Sequence, residues 1–261
     1  MAALTGCASS ASRSRGAATT STSAATTTVP PPSSTTPSST PATTSPPAAT
    51  TDVRVYFLRG GRIDVAHRAV APTPRIATAA MTQLLSGTTP ADTSAGMVTA
   101  VPAGTRLLGV SVAGGTATVD LSASFASGAD PASISGRLAQ VTYTLTQFPT
   151  VSRVAFRVGG QALSTLGGVS LAQPLSRPTF PELAPAALLE FPGRGWTVHS
   201  PIRLAGTAAV FEGQFSAELT DGAGRVIATR AMYAPLTTAI GGPFDTELAY
   251  PAGVSGPAVL T

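Results

Sequence analysis

From residue 8 to residue 51 the chain is almost entirely Ala, Ser, Thr and Pro, with only Arg13, Arg15 and Val29 standing out. That stretch carries too little apolar surface to offset the entropy of ordering its backbone, so it is expected to stay disordered. Fully polyproline-like at about 3.1 Å per residue it would reach on the order of 140 Å, and as a coil about 40 Å. Pro-rich Ser/Thr tracts also have the composition of O-glycosylated stalks. Any core must therefore be assembled from Asp52 onward.

The 261 residues are 43% apolar and 11% charged, enough for one or two domains with buried cores. The formal charge is +4, yet every basic residue is Arg, and the chain has neither Lys nor Asn. Lys and Asn share A-rich codons, so a GC-rich genome accounts for this balance. The arginines are scattered and form no basic stripe interleaved with aromatics, which excludes nucleic acid as a partner. Cys7 is the one cysteine, so neither an internal disulfide nor a CxxC site can form. His67 and His199 are the only histidines. That leaves little for metal or nucleophile chemistry, and no cofactor or metal is expected. No apolar run approaches the roughly 20 residues that span a bilayer.

Near its start, after Met1-Ala2-Ala3, the chain reads Leu4-Thr5-Gly6-Cys7, which resembles a bacterial lipobox: an apolar residue, two small ones, and the cysteine that takes the diacylglycerol. Small residues there let the scissile segment lie extended in a signal peptidase. No charged and apolar signal regions precede it, so residues 1–7 read as the remnant of a lipoprotein signal whose start lies upstream. Residues 8–51 then form the tether.

Residues 52–173 read as the first folded domain. Val53 to Leu58 alternates and is rich in β-formers; Gly60-Gly61 turns it into a second strand over Arg62 to Arg68. Thr73-Pro74 reads as a helix N-cap with Pro at the first helical position, and Gly87 as the helix end. Ile76, Ala80 and Leu84 with Ala77, Met81 and Leu85 give that helix its apolar face. Thr105 to Ser122 is a hairpin around Gly114-Gly115. Asp130-Pro131 starts a second helix with Ile134, Leu138, Val141, Leu145 and Phe148 as its stripe. Strands Val151 to Val158 and Gln161 to Leu163 flank Gly159-Gly160. The order predicts a two-layer α/β domain with helices on one face of a sheet.

These residues also carry a resemblance. Val53-Arg54-Val55-Tyr56-Phe57, Leu84-Leu85-Ser86-Gly87, Val101-Pro102-Ala103-Gly104-Thr105, Val119-Asp120-Leu121-Ser122 and Gln140 to Thr146 occur in order. Together they resemble the GerMN domain family, named from sporulation and spore-germination proteins, over about residues 53 to 180. The resemblance implies a membrane-anchored extracytoplasmic protein, of the kind found among actinobacterial envelope lipoproteins, in a family not established as enzymes.

Residues 174–187 form a Pro-rich, semi-rigid linker. Beyond it helix signals vanish. Leu188 to Phe191, Ile202 to Val210, Gln214 to Thr220, Val226 to Tyr233 and Phe244 to Tyr250 alternate like strands, with turns at Asp221 to Gly224 and at Gly241-Gly242-Pro243. Residues 188–261 thus predict a small all-β sandwich. Ser200-Pro201-Ile202, Leu204 to Ala208, Val210-Phe211-Glu212, Asp221-Gly222 and Gly242-Pro243-Phe244 resemble the immunoglobulin-like domain of bacterial spore germination proteins, which often follows a GerMN domain. Pro257 to Leu260 begins a further strand, and this domain is expected to continue past Thr261. The fold class is α+β: a GerMN-like domain, then an immunoglobulin-like sandwich, behind a disordered tether.

Few residues invite a chemical reading. Gly109-Val110-Ser111-Val112-Ala113 approaches a nucleophile elbow, but Ser111 falls inside a hairpin strand and reads as a surface serine. Asp120 and Ser122 share a face and suit turn and cap roles. Gly193-Arg194-Gly195 lacks the third glycine of a dinucleotide loop and reads as a turn. His67 and His199 lie in different domains without a nearby acid motif. Tyr143, Thr146 and Gln147 fall on the polar side of the second helix and are the candidate partner-binding residues. No catalytic constellation emerges.

The expected function is a non-enzymatic cell-envelope lipoprotein, anchored to the extracytoplasmic face of the membrane through a lipid on Cys7. It would bind or scaffold a protein or cell-wall partner. The alternatives are a peptidoglycan-acting enzyme using Asp120, and a structural module that assembles into a larger envelope complex.

Overall fold

The computed structural model describes residues 49–128 and 130–261; Cys7 and the expected tether as far as residue 48 lie outside the described residues. The alternation from Val53 produces strand β1 (Thr51–Arg59). Gly60 and Gly61, at φ 58° and 76°, turn it into the antiparallel β2 (Arg62–Val70). The first helix, α1 (Ile76–Leu85), begins later than Thr73-Pro74 predicts: Arg75 occupies the cap position and no side chain caps it. The Thr73 hydroxyl is used instead in a local turn, accepting the Arg75 N–H at 3.1 Å. Gly87 at φ 79° ends the helix as expected. A short helix absent from the sequence reading, α2 (Pro90–Ser94), rests on a capping box. There the Thr89 hydroxyl accepts from the Asp92 N–H at 3.2 Å and the Asp92 carboxylate from the Thr89 N–H at 2.7 Å.

After β3 (Met97–Val98) comes the hairpin of β4 (Leu107–Ala113) and β5 (Thr116–Leu121). Asp130 caps α3 (Pro131–Leu145), its carboxylate accepting from the Ser133 N–H at 2.9 Å. The domain finishes with β6 (Arg153–Val158), β7 (Gln161–Ala162) and a small pair, β8 (Thr165–Leu166) and β9 (Val169–Ser170). The strands divide between sheets rather than forming one: β2-β1-β3 is separate from β4-β5-β6-β7, in which β5 and β6 run parallel.

The reason lies in α3. β3 reaches only Leu58 and Arg59 of β1, which leaves the rest of that edge to α3. Gln147 Oε1 accepts the Arg54 N–H at 2.8 Å and Gln147 Nε2 donates to the Arg54 carbonyl at 2.6 Å. Thr144 Oγ1 accepts the Tyr56 N–H at 3.3 Å, and Gln140 Nε2 donates to the Tyr56 carbonyl at 3.0 Å. Gln140, Thr144 and Gln147, spaced by four and three, thus act as a surrogate strand along β1 and satisfy backbone groups that burial would otherwise orphan. Gly136 permits the approach: a Cβ there would lie 3.0 Å from Leu58 Cδ1 and 3.1 Å from the Ala100 Cβ. The apolar stripe of α3 (Ile134, Leu138, Val141, Leu145) fills the core with Phe57, Leu121 and Phe125. Phe148 lies beyond the helix and packs beside Val53 and Ile76.

The Pro-rich segment does more than space two domains. Leu175 exchanges backbone hydrogen bonds with Val154 at 2.7 and 2.8 Å, and Leu175, Phe180 and Ala184 are buried in the first core. Apolar side chains between the prolines hold the segment down.

The second domain sets the sheet of β10 (Ala187–Phe191), β11 (Ile202–Ala208) and β14 (Gly242–Leu248) against that of β12 (Gln214–Asp221), β13 (Val226–Tyr233) and β15 (Ala258–Leu260). Inward-facing Leu204, Ala217, Leu219, Phe244 and Leu248 form its core, with Phe215 edge-on to Phe244 at 5.2 Å. Gly241 (φ 90°) makes the turn, while Gly242 and Pro243, read from sequence as part of it, already belong to β14. The chain beyond Pro46 is mostly β with few helices, and its two domains form one compact unit.

Candidate functional site

The densest buried polar chemistry lies where the two domains meet. Glu190 projects from β10 into groups carried by β1, α3 and the Pro-rich segment. Its Oε2 accepts from Arg54 Nη1 at 2.8 Å; its Oε1 accepts from Arg177 Nη1 at 2.8 Å and from the Tyr56 hydroxyl at 2.5 Å. Arg177 also donates to the Tyr56 hydroxyl oxygen at 3.1 Å, to Thr146 Oγ1 at 3.0 Å and to the Tyr143 carbonyl at 3.4 Å. Its guanidinium lies 4.8 Å from the Tyr143 ring centroid and 5.2 Å from that of Tyr56. The side chains of Arg54, Arg177 and Glu190 are only 16%, 15% and 12% exposed.

The electrostatics follow from this packing. Burial works to raise the Glu190 pKa, but Arg177 and Arg54 outweigh it and hold the carboxyl below its ordinary range. Burial works against the charge on Arg177, yet Tyr56 and Glu190 keep it a firmer cation than a free guanidinium. Burial pushes the Tyr56 phenol well above the usual tyrosine range and Tyr143 up to about 12. One carboxylate thus stands between two guanidiniums, with a neutral phenol donating to it.

A second set of contacts lies alongside. His67, on β2, has Nδ1 2.7 Å from Asp52 Oδ2 and Nε2 2.9 Å from the Glu190 carbonyl oxygen. This supplies an acidic neighbour for His67 that the sequence did not reveal. Pairing β1 with β2 in antiparallel register brings Asp52 near it. Its ring stacks edgewise on Trp196 at 4.6 Å and Phe191 at 5.4 Å, so His67 belongs to the junction rather than to solvent. Gly193 fits under these rings, since a Cβ there would come within 2.8 Å of both Trp196 and His67. Arg194 reaches back to Asp64 at 3.2 Å and Arg62 to the Ala184 carbonyl at 2.8 Å.

The predicted partner-binding residues are gathered here, but turned inward. Tyr143 is 1% exposed and lies under Arg177. Thr146 Oγ1 donates to the Thr142 carbonyl while accepting from Arg177, and both ends of the Gln147 amide are taken by β1. The polar face of α3 is polar because it packs at the β1 edge and against a buried cation, packing at a sheet edge being one of the readings its sequence allows. Cys7, the predicted lipid site, lies outside the described residues. Ser111 is exposed on β4. Asp120 Oδ1 accepts from the Gly160 N–H at 3.0 Å and Ser122 Oγ from the Arg106 N–H at 2.9 Å, turn-stabilising roles for both. Sequence reasoning missed Glu190, Arg54 and Arg177; their only signal is charge within otherwise apolar or Pro-rich stretches.

Chemically, every polar atom of the Glu190 carboxylate is engaged by groups of this chain, an arrangement suited to fastening rather than to turnover. Beside it, a pocket of about 280 Å³ takes walls from both domains, among them Thr146, Arg177, Thr207, Thr237 and Ile240. Among the described residues no His, Cys, Asp or Glu cluster could hold a metal, and no helix is long and apolar enough to cross a membrane.

Comparison with known proteins adds two family matches. Residues 54–164 match Germane, described as sporulation and spore germination, and residues 188–261 match Gmad2, the immunoglobulin-like domain of bacterial spore germination. Among solved structures, the tandem GerMN domains of the sporulation protein GerM from Bacillus subtilis align at 17% identity and TM-score 0.43, over 77% of this chain and 61% of that one. The first GerMN domain of the same protein aligns at 25% identity and TM-score 0.39, over 49% of this chain and 98% of that one. A candidate lipoprotein from Clostridium perfringens aligns at 19% identity and TM-score 0.38, over 51% of this chain and 92% of that one. The chain therefore spans 61% of the length of the tandem-domain protein it resembles. No curated protein matches the chain.

Proposed function

Because the chain joins a Germane domain to a Gmad2 immunoglobulin-like domain, we propose that it is a non-enzymatic envelope lipoprotein that binds or scaffolds a protein or cell-wall partner. In this reading the first domain is a two-layer α/β module, a lipid on Cys7 anchors the chain at the extracytoplasmic face, and residues 8–51 are the spacer. The observation that carries it is the Glu190 cluster. It uses the strongest buried charges to lock two domains together, and a pocket walled by both lies beside it. A partner docking there reads both domains at once, which suits a scaffold.

Mass spectrometry of the protein from the membrane fraction of cells that produce it tests the anchor. A diacylglyceryl-modified Cys7 is expected, and an unmodified Cys7 would remove the anchoring part of the reading. Turnover of purified peptidoglycan by the chain, abolished by Asp120→Ala, would overturn the non-enzymatic part.

A further inference from the structure

β4 is the outermost strand of its sheet. Gly114 and Gly115, at φ 53° and 76°, form a tight two-residue turn that makes Ala113 and Thr116 the hydrogen-bonded closing pair of the hairpin. Bonding alternates along an antiparallel ladder, so Ala113, Ser111 and Gly109 direct their backbone groups to β5, while Val112 and Val110 direct theirs outward. Among the described residues nothing pairs with that outer side. Exposed edges of this kind are ordinarily protected by a charge, a proline, a bulge or very short length. Most other edge strands among the described residues have such a device. β2 carries Arg62, Asp64 and Arg68; β13 carries Arg230; β14 carries Asp245 and Glu247; β3, β7, β8, β9 and β15 span only two or three residues. β4 reads Leu-Leu-Gly-Val-Ser-Val-Ala, without charge or proline. A bulge at Leu108 disturbs its beginning and leaves Gly109–Ala113 regular.

The surroundings specify what would pair there. Val110 and Val112 stand opposite Val119 and Ala117, on the core-facing side of the sheet. On that side a groove of about 880 Å³ runs beside β4, lined by Ile76, Ala77 and Phe148 as well as by Val110 and Val112, with Arg75 also on its wall. Val112 is 44% exposed and Leu108 52%. A strand added to this edge must offer apolar side chains beside Val110 and Val112. β4, whose own Val110 and Val112 point that way, meets this requirement.

We infer that β4 is a self-association edge, at which a second copy of this chain adds its own β4 antiparallel about a two-fold axis through Ser111. In that register Val110 and Val112 of each copy exchange backbone hydrogen bonds with Val112 and Val110 of the other. The four valines line one face over the grooves. Ser111 meets its own counterpart in a non-hydrogen-bonded pair, with Cα atoms about 4.5 Å apart. The interface is isologous and closed, so it yields a dimer and not a filament. It extends the four-stranded sheet into one that is continuous across both copies.

The register gives a specific test with the full chain. That Ser111 separation lies within reach of a disulfide, whose Cα atoms stand about 4.4–6.8 Å apart. In a Cys7→Ser background, Ser111→Cys is expected to give a covalent dimer in high yield under a mild oxidant, whereas Ser216→Cys, exposed on the other domain, is not. Sedimentation of the unmodified chain should show a species of twice 25.9 kDa, and Val112→Arg, which sets like charges on both strands, should return it to monomer with unchanged circular dichroism. A chain that sediments as monomer at all accessible concentrations would overturn the inference. So would equal cross-linking from Ser111→Cys and Ser216→Cys, or a dimer that survives Val112→Arg.

Discussion

The Glu190 side chain joins groups that lie far apart in the sequence. It stands 136 residues from Arg54 and 134 from Tyr56, yet bonds both, and it also bonds Arg177. Removing one member of a buried ionic group leaves the others uncompensated, at a cost of about 3–5 kcal/mol. Glu190→Ala is therefore expected to lower the stability measured by urea unfolding by that amount at pH 7. The pH dependence has a definite sign. A carboxyl whose folded pKa is depressed contributes stability that is complete above its unfolded value and is lost as pH falls through the folded one. Glu190 is held below its ordinary 4.5, so the gap between parent and variant should stay full down to that pH and close only beneath it. A gap already closing at pH 6 would assign the effect to another group. None of this was legible from sequence. Glu190 sits in an alternating strand and Arg177 in a Pro-rich stretch, and no local spacing links either to Arg54 and Tyr56, more than a hundred positions away.

Single elements are more legible in the sequence, because periodicity is local. The strands around Gly60-Gly61 and Gly114-Gly115 and the stripe of α3 follow from two- and 3.6-residue periods. The start of α1 was misplaced because Thr73 uses its hydroxyl in a turn. α2 was missed because a five-residue helix made by a capping box shows no apolar period. The role of the α3 polar face was hidden for a different reason: Gln140, Thr144 and Gln147 have the same pattern whether they meet water or the edge of β1. Gln147→Ala would strand the N–H and carbonyl of Arg54, at a cost of about 1–3 kcal/mol. Faster amide hydrogen exchange at Arg54 should accompany the loss; an unchanged rate would mean the stitch contributes nothing. In the second domain, a Cβ at Gly206 would lie 1.9 Å from the Leu188 carbonyl oxygen. Gly206→Ala should therefore loosen β10 from β11, with a stability loss of about 1–3 kcal/mol in thermal unfolding.

The whole molecule follows from how these levels combine. A sequence resemblance identified two domain types, and local periods of two and 3.6 residues outlined them, but their joining depended on Leu175, Phe180 and Ala184 folding back into the first core and on Glu190 reaching across. Two domains so joined present a single surface, and the proposed scaffold depends on that more than on any one pocket. Differential scanning calorimetry of the parent chain and of Glu190→Ala tests it most directly. The parent is expected to unfold in one cooperative transition, and Glu190→Ala to separate it into two, one per domain. Two transitions in the parent, or one unshifted transition in the variant, would contradict a junction held by the buried charges.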